Sequence, residues 1–146
     1  MFLNRRALCL LLPGGAFPLV ARTNGFVADD KALPSATFLF EKLPVQVTGN
    51  AEIRSILKGT LATGESLEVH ETTLQPGGSP HPPHHHNHSE MWLIREGTVE
   101  LTINGASTRI GPGGLGFVSS NEEHGIKNVG STPATYFVVA LGPGAS

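Results

Sequence analysis

The chain has a single cysteine, Cys9, so no disulfide can staple its domain. Charged residues make up only 15% of it and sum to a formal −2, which gives no reason to expect nucleic acid as a partner. Its most continuous N-terminal apolar stretch, residues 7–12, is broken by Pro13, Gly14 and Gly15. That stretch is far short of the roughly 20 residues a membrane-spanning helix needs, so no stable membrane anchor is expected. No segment of useful length carries a 3.6-residue apolar period, which argues against a helical bundle. What is abundant is glycine (18) and proline (11), spaced between short apolar runs in a chain of 146 residues with mean hydropathy near zero. A single all-β domain follows, large enough to bury a core without staples.

Residues 1–21 have the layout of an export signal: Arg5 and Arg6, a short apolar core, then a mixed tail ending in Leu19-Val20-Ala21. Asn4-Arg5-Arg6-Ala7-Leu8 resembles a twin-arginine signal, the alternative being an ordinary secretory signal carrying two arginines. The expected destination is outside a bacterial cytoplasm, in the periplasm or beyond. Export of an already folded chain would let a metal be chosen inside the cell. Residues 22–36 are polar and aperiodic and read as a flexible arm, leaving 37–146 as the domain.

Strand signals begin at residues 37–41, weaken over 52–58, and become clear at 66–74, where Leu67 and Val69 share one face and Glu68 and His70 the other. Further strands are expected at 90–95, 98–103, 115–119 and 134–141. Asn104-Gly105 sits between two β-rich runs and is a strong hairpin signal, since both residues tolerate positive φ. A barrel or jelly roll fits this pattern best.

Chemistry is concentrated in one stretch, Gly78-Ser-Pro-His-Pro-Pro-His-His-His-Asn-His-Ser-Glu90, with five of the seven histidines: His81, His84, His85, His86 and His88. Neutral imidazole and carboxylate are the donors that divalent transition metals take. On extended chain, alternate side chains share a face, so His84, His86 and Glu90 can converge, and His124 can be returned to them by a later strand. Three imidazoles and one carboxylate leave positions open on the ion, as a reactive site requires. A tract this rich in histidine also reads as a metal-scavenging segment with no fixed site. His81, His85 and His88 fit no ligand position, although His88 shares the parity of His86 and competes for the ion. His70 reads as an exposed strand residue. Glu71, in step with Leu67 and Val69, would point a carboxylate into the barrel and serve as a catalytic acid or base; a bulge or an exposed strand end is the alternative. Trp92, Ile94 and Tyr136 are expected to pack in the interior; a dry cavity filled by them and Phe117 would favour binding or structure, and an open pocket with several polar groups an enzyme.

Gly78, His84, His86, Glu90 and Gly97 fill every fixed position of G-x5-H-x-H-x3-E-x6-G, and so resemble the first motif of the cupins. Gly113, His124 and Asn128 resemble the second, G-x5-P-x-G-x2-H-x3-N, with Ser119 in place of its proline and Asn121 in place of its glycine. Asparagine is the side-chain-bearing residue that best tolerates left-handed φ, so the turn survives that exchange. The resemblance, to small single-domain microbial cupins, implies a double-stranded β-helix of the jelly-roll type. It also implies His84, His86, Glu90 and His124 as ligands to manganese, iron, nickel, copper, cobalt or zinc, and a homodimer. Activities in the family include dioxygenase, isomerase and lyase chemistry on small organic molecules. Dioxygenase is favoured, and an exported protein that only binds a metal or small ligand is the alternative.

Overall fold

Nine strands form among the described residues, 31–145, of the computed structural model. The expected export signal, 1–21, and the expected arm up to residue 30 lie outside them. The strands are β1 (Val45–Thr48), β2 (Ala51–Thr60), β3 (Ser66–Leu74), β4 (Ser89–Glu96), β5 (Val99–Ile103), β6 (Ala106–Ile110), β7 (Leu115–Val118), β8 (His124–Asn128) and β9 (Ala134–Leu141). A six-stranded sheet runs β1-β2-β3-β9-β4-β7 and a three-stranded sheet β6-β5-β8, with all pairings antiparallel. This is the expected all-β jelly roll. Its core comes from the facing sides of both sheets, including Leu74, Trp92, Ile94, Val99, Leu101, Val118, Ile126, Tyr136 and Val138.

The turns follow from local chemistry. Asn104 and Gly105 adopt φ of 48° and 82° and close the β5–β6 hairpin, with Ile103 opposite Ala106. Asn121 takes φ of 65°, so asparagine does sustain the left-handed turn before His124. Gly97, at φ of 79°, passes so close to β9 that a Cβ there would lie 2.6 Å from the Ala134 Cα.

Three expectations need correction. Residues 37–41 are not a strand: Phe40–Lys42 is a single 3-10 turn, and Phe38, Leu39 and Phe40 lie about half exposed without strand partners. β1, which was not expected, is a short exposed edge strand following Pro44 and turning into β2 at Gly49. The third concerns β3, where alternation is right but the assigned face is wrong. In register, His70 lies opposite Val138 and Thr72 opposite Tyr136, facing inward, while Glu71 lies opposite Phe137 and Arg54 on the outer face. Apolar pattern alone cannot choose between the faces, because the outer one is apolar as well: Phe38, Phe40, Leu43, Ile56 and Phe137 surround Glu71 there. Its carboxylate, 3% exposed, accepts a 2.9 Å hydrogen bond from Arg95 Nη1 and belongs to the outer packing. Phe117 is likewise outside and 52% exposed.

Candidate metal centre

Backbone hydrogen bonds bring the distant histidine to the histidine loop. His84 N donates to His124 O at 3.0 Å and His124 N donates to His84 O at 2.8 Å, an isolated antiparallel bridge joining the loop to the start of β8. Asn121 N donates to His86 O at 2.8 Å, so the left-handed turn holds the next candidate ligand as well. Glu90 enters from β4, between Val118 of β7 and Ala140 of β9.

The four expected ligands converge. One ring nitrogen from each of His84, His86 and His124 lies within 4.8 Å of the others. His86 Nε2 is 3.4 Å from Glu90 Oε1, and His124 Nε2 is 3.5 Å from Glu90 Oε2. The opposite ring atoms are tied to main-chain oxygens: His86 Nδ1 to His88 O and His124 Nδ1 to Glu122 O, each at 2.9 Å. A carbonyl only accepts, so both Nδ1 atoms carry the proton and both Nε2 atoms present bare lone pairs toward the carboxylate. This is the outer support by which imidazole ligands are oriented.

Those lone pairs pose a problem without a cation. His86 Nε2, His124 Nε2 and His84 Nδ1 are buried with no hydrogen-bond partner, at a cost of about 1–3 kcal/mol for each such group. Acceptor nitrogens converging on a carboxylate are what a divalent ion would satisfy, so the donor set fits a metal on its own chemistry.

Burial pushes the His84 imidazole down to about 4, with the nearby His81, His124 and His86 rings adding to the effect and Glu90 opposing it. Its ordinary value is near 6.5, so as pH falls the unfolded chain takes up this proton first. The contribution of this group to the stability of the metal-free protein is therefore full above about pH 6.5 and declines from there toward pH 4. Melting curves of EDTA-treated protein across that window should show the decline, and His84→Asn should make it shallower, the remainder coming from His70 and His88, which burial also shifts down. A His84→Asn curve parallel to wild type would refute the assignment.

Glu90 and His124 also reach a cavity of about 160 Å³, walled in addition by Ile53, His70, Thr72, His81, Trp92 and Tyr136. His70 is therefore not an exposed strand residue: it is half-buried and inward-facing, and burial lowers its pKa despite Glu68 and Glu90. Burial raises the Tyr136 phenol, only partly offset by a hydrogen bond from Thr72, so it stays protonated and able to donate. Sequence reasoning missed His70 and Thr72 as cavity residues; Tyr136, opposite Thr72 in β9, gives the register that identifies them. His81 stacks edge-on against His84 at 4.1 Å, and His85 is exposed. The Glu122 carboxylate accepts from Asn104 Nδ2 and the Ser119 amide, which makes it part of the turn.

Comparison with known proteins bears on the family and the fold. The family model "Cupin domain" matches residues 70–140, a segment that includes His84, His86, Glu90 and His124. L-Ectoine synthase of Bordetella petrii is 36% identical over 63 residues, which cover 42% of this chain and 47% of that enzyme. Mannose-1-phosphate guanylyltransferase of Klebsiella pneumoniae is 30% identical over 76 residues, 52% of this chain. The match spans only 16% of that enzyme's length, so the similarity concerns one part of a much larger protein. Among solved structures, an RmlC-like cupin from Shewanella frigidimarina superposes with a TM-score of 0.65 at 15% identity, covering 76% of this chain and 94% of that one.

Proposed function

The chain belongs to the cupin superfamily, and from that premise we propose that it is a metal-dependent enzyme acting on a small organic molecule. The observation that carries this reading is that Glu90 and His124 belong to the candidate ligand cluster and also line a largely apolar cavity into which His70, Thr72 and Tyr136 bring polar groups. A closed structural site has no need of such an opening. A divalent ion held by His84, His86, Glu90 and His124 would supply a Lewis acid with positions left for substrate oxygens.

The protein's own groups then do the rest. The cavity is below the roughly 300–1,000 Å³ typical of pockets for drug-sized ligands, so it fits a small molecule or one end of a larger one. Tyr136 donates a hydrogen bond, and His70 provides a neutral imidazole that accepts or relays a proton. Trp92, Ile126 and Val138 form the apolar part of the wall and limit the water admitted. Glu71 takes no part.

Dioxygenase chemistry is the first choice, because a nitrogen-rich open site suits iron or copper. Lyase or isomerase chemistry is the second, supported by the likeness to a synthase and by His70 as an available base. Export and a homodimer complete the reading; the half-exposed Leu93, Leu115 and Phe117 on the outer sheet face support the dimer. Metal-free protein reloaded separately with iron, copper, manganese or zinc should turn over small hydroxy- or keto-acids with one metal far better than the others. Oxygen uptake during turnover supports the dioxygenase, and turnover without it supports the lyase or isomerase. No turnover with any metal, alongside tight binding, would favour the non-catalytic binder instead.

A further inference from the structure

The histidine loop holds more imidazoles than a four-ligand centre uses, and the structure brings one of the surplus, His88, to the carboxylate. We propose that His86, His88 and Glu90 form a second, outer metal position that loads the buried one. Glu90 carries the argument, because its two oxygens face different partners. Oε1 lies 3.4 Å from His86 Nε2 and 3.6 Å from His88 Nε2, while Oε2 faces His124 Nε2 at 3.5 Å. Ligand atoms of His86, His88 and Glu90 all fall within 4.8 Å of one another, the same closeness found for His84, His86 and His124. The His86 and His88 rings stack at 3.5 Å and 16°, and His86 Nδ1 donates to the His88 carbonyl, so the two rings are held together as a pair.

The two sets differ in access to water at one member: His84, His86, His88 and Glu90 are all half-buried, and His124 is buried. The His88 side chain is 14% exposed and that of His124 is 2% exposed. A hydrated ion sheds its waters stepwise, and the outer set offers two imidazoles and a carboxylate oxygen before His124 is reached. His86 and Glu90 belong to both sets, so transfer needs only the exchange of His88 and Oε1 for His84, His124 and Oε2. Shared ligands and charge repulsion keep two ions from being held together, so the stoichiometry stays at one.

This inference rests on the buried centre proposed above, and the test separates the two. Metal-free full-length protein is mixed with Co2+ alone and binding is followed by stopped-flow absorbance. His88→Ala should retain one tightly bound Co2+ but take it up about tenfold more slowly. His124→Ala should keep a weak Co2+ site that disappears when His88→Ala is added to it. Uptake by His88→Ala at the wild-type rate, or a weak site in His124→Ala that survives loss of His88, would overturn the loading position alone. Failure of the wild type to hold Co2+ would overturn the buried centre and the loading position together.

Discussion

His124→Ala is expected to weaken metal binding by more than about a hundredfold and to abolish turnover, while the fold persists. Loss of even an outer support of a metal ligand commonly costs about 10–100-fold in affinity, and His124 is a direct donor candidate. Its Nε2 is buried, unpartnered and 3.5 Å from Glu90, and its ring reaches the cavity. The fold is spared because the bridge to His84 uses main-chain atoms, which alanine retains. Its ring does contact Trp92, at 5.4 Å between centroids, so a modest loss of stability is expected too. Calorimetric titration with Zn2+ and circular dichroism of the same variant separate the two effects. Unchanged affinity in a folded variant would remove His124 from the ligand set.

Asn128→Ala is expected to cost about 3–4 kcal/mol of stability, lowering the melting temperature by roughly 10 °C or more. The side chain is fully buried and satisfies three main-chain groups. Nδ2 donates to Leu74 O at 2.9 Å and Thr132 O at 2.8 Å, and Oδ1 accepts from Gly130 N at 2.9 Å. Alanine removes the partner of all three, and the one to Leu74 O is lost in the buried core, where water does not replace it. Its main chain also grips the start of the histidine loop: Asn128 N donates to Gly78 O, and Gly77 N donates to Asn128 O. The asparagine thus belongs to the scaffold that aims the ligands. Urea denaturation of metal-free protein measures the loss directly, and a change below about 1 kcal/mol would contradict this role.

The convergence of His84, His86, Glu90 and His124 was legible because a metal-ligating set would impose residue type and spacing at once. His84, His86 and Glu90 share parity along the chain, and imidazole with carboxylate has few other reasons to recur at that interval. The hairpin at Asn104-Gly105 was legible for a similar reason, since positive φ narrows the choice of residue. The orientation of β3 was not. Both faces of the large sheet are apolar, so Leu67 and Val69 did not reveal which side was the core, and only pairing with β9 turned His70 inward and Glu71 outward. Residues 37–41 misled in the same way: Phe38, Leu39 and Phe40 have the composition of a strand but pair with none, and Phe40–Lys42 forms a 3-10 turn. The orientation of the Glu90 oxygens, and with it the place of His88, is a matter of side-chain conformation that spacing does not encode.

The most direct test of the account is anomalous X-ray scattering from crystals of the metal-loaded protein, collected at the absorption edge of the bound ion. The account predicts one principal peak per chain, enclosed by His84, His86, Glu90 and His124 and adjoining the cavity walled by His70 and Tyr136. A principal peak among exposed histidines such as His81 and His85, or none within reach of His124, would contradict it.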